Sequence, residues 1–265
     1  MEATPSADVP PSEGAGVPEV APRRRRRLPI LAAALLVLGA LGLWFLPLHR
    51  IVLLAFRAPG STAFIDARRA RLRAETKDDR IARTPVPLSR VSPHLVRAVI
   101  AAEDARFYTH HGIDWEAVKE ARAYNEKQAG KKRPRLHGAS TITQQLAKNL
   151  YLSADRSLLR KAREGLIAYT LEAVLSKAKI LEHYLSAVEW GERVYGCEAA
   201  ARKYFGVSAA SLSPQQAAWL AAMIPSPRFY LSHPDRHERR AARIARFARG
   251  GAPEPDEGDE DETGD

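Results

Sequence analysis

The apolar positions of the chain fall into one long unbroken run followed by shorter stretches of helical period. Leu28 to Leu48 is 21 residues without a charge, enough to span a bilayer core. Further on, Leu95, Val96, Val99, Ile100 and Ala102 form a stripe of helical spacing. Ser92-Pro93 heads that stripe as an N-cap and a first-turn proline. The pattern predicts that this helix runs past Ala102, so that Glu103, Phe107 and His110 share one face and Gly112 closes it. A second helix is predicted over Ile113 to Asn125, where Trp115, Val118, Ala121 and Tyr124 recur every third residue. A basic loop follows over 126–137. Thr141 with Gln144 has the form of a capping box, so another helix opens there. Leu158 to Leu185 reads as one nearly continuous helix. Glu189 to Gly196 reads as a turn-rich loop and Ala199 to Phe205 as a short helix. A capping signal at Ser213 precedes a small-residue helix over Ala217 to Ile224, and Arg236 to Arg249 reads as a basic helix. No segment of strand period stands out, so the predicted fold class is all-α.

Charge then divides the chain. Residues 1–27 are predicted to be a disordered cytoplasmic tail ending in five arginines, Arg23 to Arg27. Residues 28–48 are a single transmembrane helix, 49–87 a juxtamembrane segment and linker, 88–249 the folded domain, and 250–265 a disordered acidic tail. Bases ahead of a span stay in the cytoplasm, so the domain is placed outside the membrane. The span that follows makes the arginine run a topology signal rather than a nucleic-acid arm. The net charge of +10 is concentrated in the middle of the chain, because acids gather at both ends. Such a domain favours an anionic partner, and charge alone leaves nucleic acid, an anionic membrane and a phosphorylated substrate open. The one cysteine, Cys197, excludes an intramolecular disulfide and a cysteine zinc site.

Three places could carry chemistry. Glu103 ends an apolar helix, and a partly buried carboxylate is a candidate general base or acid, since burial raises its pKa. The competing reading is a solvated helix end with an aromatic beside it. Ser140, Thr141, Gln144 and Gln145 put hydroxyls and amides at a helix start, with Lys148 one turn beyond Gln144. Such an end binds anions, phosphates above all, although caps alone would use some of the same residues. Arg156, Arg160 and Glu164 recur every fourth residue, as a cationic strip ending in a second carboxylate or as an ion-pair ladder.

Taken in order, these motifs resemble a known family. E-D-x-x-F-x-x-H-x-G at 103–112, G-A-S-T-I-T-Q-Q-L-x-K-N at 138–149 and R-K-x-x-E at 160–164 are followed by K-x-x-I-L-E-x-Y-L at 177–185. The pattern looks like that of the peptidoglycan glycosyltransferases, glycosyltransferase family 51. V-E-W-G-x-x-V-Y-G-x-E-A-A-A-R-K-Y-F-G at 188–206 and A-A-M-I-P-S-P-R-x-Y at 221–230 are most similar to its monofunctional biosynthetic members. The resemblance covers roughly 88–232.

It implies a lysozyme-like, two-lobed helical domain that polymerises lipid II into glycan strands. Glu103 falls on the family's general base and Glu164 on its second essential glutamate. Asp104, Phe107 and His110 complete the first motif. Ser140, Thr141, Gln144, Gln145, Lys148 and Asn149 fall on the second, and Arg156, Arg160 and Lys161 on the cationic positions near the donor pyrophosphate. The implied partners are lipid II, the lipid-linked strand, an anionic membrane and cell-wall synthesis proteins, with no nucleic acid. No cofactor is required. An assisting divalent cation, Mg2+ or Mn2+, is compatible with the family, and no ligand cluster demands one.

The sequence departs from the family at Ser186, where Asn is usual, at Gly138-Ala139 in place of Gly-Gly, and at Ser226 within P-S-P. Ser176-Lys177-Ala178-Lys179 matches S-x-x-K, yet no S-x-N or K-T-G accompanies it, so no transpeptidase activity is expected. Two rivals remain at this point: a lysozyme-like lytic transglycosylase, and a non-catalytic membrane-tethered scaffold.

Overall fold

The computed structural model describes residues 29–34, 37, 39, 46–131, 136–153, 155 and 157–250. The chain forms two units, Met1–Trp44 and Phe45–Asp265. In the first, residues 29–34 are helical. Ten of the 21 residues of the predicted span, both predicted tails apart from Gly250, and Arg156 lie outside the described residues. Among the described residues no helix is long and apolar enough to cross a membrane.

The second unit is mostly helical. In chain order its helices are α1 (Leu48–Leu54), α2 (Ala63–Thr76), α3 (Pro93–Glu103), α4 (Trp115–Gln128), α5 (Ile142–Tyr151) and α6 (Leu158–Val174). They continue with α7 (Lys177–Ala187), α8 (Cys197–Phe205), α9 (Pro214–Met223), α10 (Pro227–Ser232) and α11 (Pro234–Phe247). Side-chain caps set many of the starts: Ser92 for α3, Asp114 for α4, Ser157 for α6 and Ser176 for α7. Thr141 and Ser213 each complete a capping box, for α5 and α9, as the sequence predicts. Pro93 and Pro214 occupy the first helical turns.

Two groups of helices share one continuous core. In the first, α9 packs against α3 and α11, helped by the alanines of α9, which let backbones come close. In the second, α5 lies against α6 and α7, with α2 on its outer side and α1 against α6. Leu95, Val99, Ile142, Leu146, Ile167, Leu181 and Tyr184 are among the fully buried side chains that join them.

Two expectations need correction, and two gain a detail. The domain is mostly helical, in keeping with the all-α expectation, and adds one small sheet. Ala82–Arg83 (β1), Glu189–Gly191 (β2) and Val194–Tyr195 (β3) form a small sheet in the order β1-β3-β2, parallel between β1 and β3 and antiparallel between β2 and β3. Strands of two or three residues are too short for alternation to show, and the partner of β1 lies more than a hundred residues away.

The helix through Ala102 does not continue to His110. It ends at Glu103, with Asp104 leaving helical geometry at φ −164°. The Asp104 carboxylate is taken by the Ile142 amide (2.9 Å) and by His110 Nε2 (3.0 Å), and those tertiary bonds replace the next helical turn. Glu103, Phe107 and His110 therefore do not share a helical face.

The stretch 158–185 is not one helix. Leu175 is extended and Ser176 caps α7, so the S-x-x-K match is a cap. Lys177 bonds Glu172 Oε1 (2.8 Å) and the His110 carbonyl (2.6 Å). Finally, α4 buries none of its residues, and Trp115 is exposed. The apolar period there describes a half-covered helix.

Candidate active site

Glu103 is the last residue of α3 and stands where the two helix groups meet. Its side chain is 8% exposed. Oε2 accepts a hydrogen bond from Gln145 Nε2 at 3.0 Å. The same amide accepts, through its oxygen, from the hydroxyl of fully buried Tyr184 at 3.0 Å. The phenol thus fixes which end of the Gln145 amide faces the carboxylate. Oε1 has no hydrogen-bond partner among the described residues and lies 3.5 Å from Arg240 Nη2. Burial pushes the Glu103 carboxyl above its ordinary range, against the Gln145 bond and the charges of Arg240 and Lys148.

Two clefts meet at this carboxylate. One, of about 770 Å³, is lined by Glu103, Ser140, Gln145, Lys148, Asn149, Glu189 and Arg240, with Phe64, Leu136, Ile224 and Pro225 among its apolar walls. The other, of about 340 Å³, is lined by Glu103, Asp104, Arg106, Asp114, Glu120 and residues 138–141. Glu103 and Ser140 belong to both. A base at such a junction could reach a hydroxyl delivered from one side and a reacting carbon held on the other.

The cations gather at one edge. Glu164 is 2% exposed. Arg160 Nη1 binds its Oε2 at 2.6 Å and Lys161 Nζ its Oε1 at 2.5 Å. Lys161 also donates to Ser140 Oγ at 2.9 Å, which ties this cluster to the cleft. Both oxygens of Glu164 are therefore occupied by these two cations. Burial lowers the pKa of Lys148, with the charges of Arg160 and Lys161 acting the same way and those of Glu164 and Glu103 opposing.

The other residues of the first motif turn inward. Asp104 is buried between His110 and the start of α5. Phe107 is fully buried, with Lys177 Nζ 4.5 Å from its ring centre. Thr141 donates to the Gly112 carbonyl, and Gln144 returns to the Thr141 amide as a cap. Asn149 is largely buried on the cleft wall. The structure brings Glu103, Gln145, Lys148, Asn149 and Ser140 to one cleft, with Arg160, Lys161 and Glu164 behind Ser140. Asp104 and Thr141 lie on the wall of the second cleft, and Phe107, His110 and Gln144 pack behind it.

Sequence reasoning missed Tyr184, Glu189 and Arg240. Arg240 is picked out only once the buried face of α11 is known. His237 and Ile244 are the buried residues of α11, and Arg240 is the base between them at helical spacing. Tyr184 and Glu189 sit inside motifs whose apolar neighbours hide them. Cys197 is a buried thiol pushed up to about 12 by burial, a packing residue. Among the described residues no three His, Cys, Asp or Glu side chains are grouped to hold a metal ion.

This carboxylate, its amide clamp and its cationic edge occur within a region, residues 70–248, that matches the family model described as "Transglycosylase". The chain belongs to the transglycosylase family. Among its relatives, the biosynthetic peptidoglycan transglycosylase of Bordetella pertussis is 47% identical over 208 residues, covering 78% of this chain and 84% of the relative. The protein of the same name from Bordetella avium is 49% identical over 183 residues, with 69% and 76% covered. That from Nitrosomonas eutropha is 45% identical over 225 residues, with 85% and 86% covered. Family membership removes the lone-scaffold reading as the default.

Proposed function

We propose that this transglycosylase polymerises lipid II into peptidoglycan glycan strands, with Glu103 as the general base of an inverting transfer. The observation that carries the reading is the Glu103 carboxylate, buried at the junction of two clefts with one oxygen clamped and the other unbonded. In the step, the 4-hydroxyl of the lipid II GlcNAc attacks the anomeric carbon of the growing strand. Its proton passes to Glu103 Oε1 as the new glycosidic bond forms. The bond from that carbon to the polyprenyl pyrophosphate breaks, and the pyrophosphate leaves with the electron pair. General-base assistance of this kind contributes roughly 10²–10⁴-fold.

The leaving group is anionic and needs positive charge rather than a proton. Lys148, together with Arg160 and Lys161 behind Ser140, supplies it electrostatically. Glu164 keeps the pair of cations in register, and Asp104, Phe107 and His110 hold the end of α3. A hydrolase of the same fold type would have no use for the cationic strip.

Anchorage fits a lipid-bound substrate. The uncharged run 28–48 behind Arg23–Arg27 supports a single-pass membrane protein with the domain outside. Helices α1 and α6 touch each other and carry exposed Val52, Leu53, Leu158, Leu159 and Leu166, side chains suited to a bilayer surface. The test is glycan polymer made from lipid II by the full chain in detergent. Wild type is expected to make it and Glu103→Gln to make none. Equal product from the two would sink the base assignment, and an inactive wild type the reaction.

A further inference from the structure

Arg240 lies outside the motifs quoted above and in a helix rich in arginine, yet it is the one base of α11 on the wall of the main cleft. Its position is anchored. His237, one turn earlier, is buried with Nε2 2.8 Å from the Trp219 carbonyl on α9, and Ile244, one turn later, is in the core. The guanidinium carbon sits 5.9 Å from the Tyr230 ring centre. The side chain is only 19% exposed, and Nη2 stands 3.5 Å from Glu103 Oε1. Arg240 Nε and Glu103 Oε1 are both buried without a hydrogen-bond partner. The pair is thus an ionic contact that leaves the carboxylate oxygen free to accept a proton.

We propose that Arg240 is a positioning residue for the base, holding the buried Glu103 carboxylate ionised and leaving Oε1 as its proton-accepting oxygen. This rests on reading Glu103 as the general base. The other groups facing Glu103 do not replace Arg240. Asp104, beside it in the chain, opposes ionisation, and Lys148 on α5 contributes less than Arg240. Gln145 is neutral, and Tyr184 on α7 donates to Gln145 rather than to the carboxylate. Helix α9, packed along α3, has no charged residue. A cation within about 4–6 Å typically lowers a carboxylate pKa by roughly 1–3 units.

The experiment is the pH profile of kcat/KM and kcat for lipid II polymerisation by the full chain, comparing wild type with Arg240→Gln, Arg240→Met and Arg240→Lys. Thermal melts report whether each variant folds. The neutral variants should move the acidic limb up by about one pH unit, recover most of their activity above it and leave KM little changed. Methionine keeps the apolar stem against Tyr230, so it tests the charge should glutamine disturb packing. Lysine should stay near the wild-type limb. An unmoved limb with activity lost equally at every pH, or a raised KM at every pH, overturns the proposal, because those are the marks of structural support or direct substrate binding. A lysine limb displaced as far as the neutral ones overturns it too. Failure of the underlying reading looks different: Glu103→Gln would then stay active, or wild type would show no acidic limb.

Discussion

Gln145 donates from Nε2 to Glu103 Oε2 at 3.0 Å, and this bond decides which oxygen of the carboxylate is left for chemistry. With Oε2 held, Oε1 is the oxygen left without a hydrogen bond. The amide is in turn held by Tyr184, so Glu103 on α3 is held through Gln145 on α5 and Tyr184 on α7.

Removing the far end of that chain should be felt at the near end. Tyr184→Phe deletes one hydroxyl from a fully buried site and frees the Gln145 amide to turn its oxygen toward Glu103. A net hydrogen bond is worth about 1 kcal/mol, or roughly fivefold in rate. We expect kcat to fall about fivefold, with KM nearly unchanged. An unaltered kcat in steady-state polymerisation would show that something else orients the amide.

Glu103 should carry a stability cost as well. Its folded-state pKa is raised, chiefly by burial. A raised carboxyl contributes stability that is whole below the unfolded-state pKa and is lost as pH rises through the folded-state value. Glu103→Gln does not titrate. Its stability relative to wild type should therefore improve as pH rises above about 4.5 and then level off. Denaturant midpoints across that range measure the difference, and a flat or opposite trend would contradict the raised pKa.

Asp104 is expected to matter through the fold. It binds His110 through both oxygens at 3.0 Å and caps the Ile142 amide at 2.9 Å. Asp104→Ala leaves buried donors without partners and should cost about 3 kcal/mol, whereas Asp104→Asn should cost less. Chemical denaturation separates the two. Equal losses would place the effect in charge rather than in bonding.

Gly112 should not tolerate a side chain. Its φ is +78°, and an added Cβ would lie 3.1 Å from backbone atoms of Ala168 and Tyr169. Backbone on α6 cannot swing aside. Its carbonyl also accepts from Thr141, so any shift reaches the cap of α5. Gly112→Ala should destabilise by about 1–2 kcal/mol or more, and a thermal melt equal to wild type would refute the close approach.

Much of this was legible from the chain alone, for local reasons. Caps are contacts between residues two or three apart, so Ser92, Thr141 with Gln144, and Ser213 could be read from spacing. The order of the motifs identified the family, and Glu103, Gln145 and Lys148 were among its residues before the cleft was seen. What only the tertiary structure decided depends on partners far away in sequence. α3 stops at Glu103 because Asp104 is captured by a residue 38 positions on. The long helix divides at Ser176 where Lys177 turns to meet His110 across 67 residues. The strands are too short to show a period, and β1 exists only beside β3. Arg240 is one arginine among several on α11 until packing through His237 and Ile244 turns it toward Glu103. Local sequence can specify caps and periods, because those energies are local. It cannot specify which charge meets Glu103, because that contact is made by the closing of two helix groups.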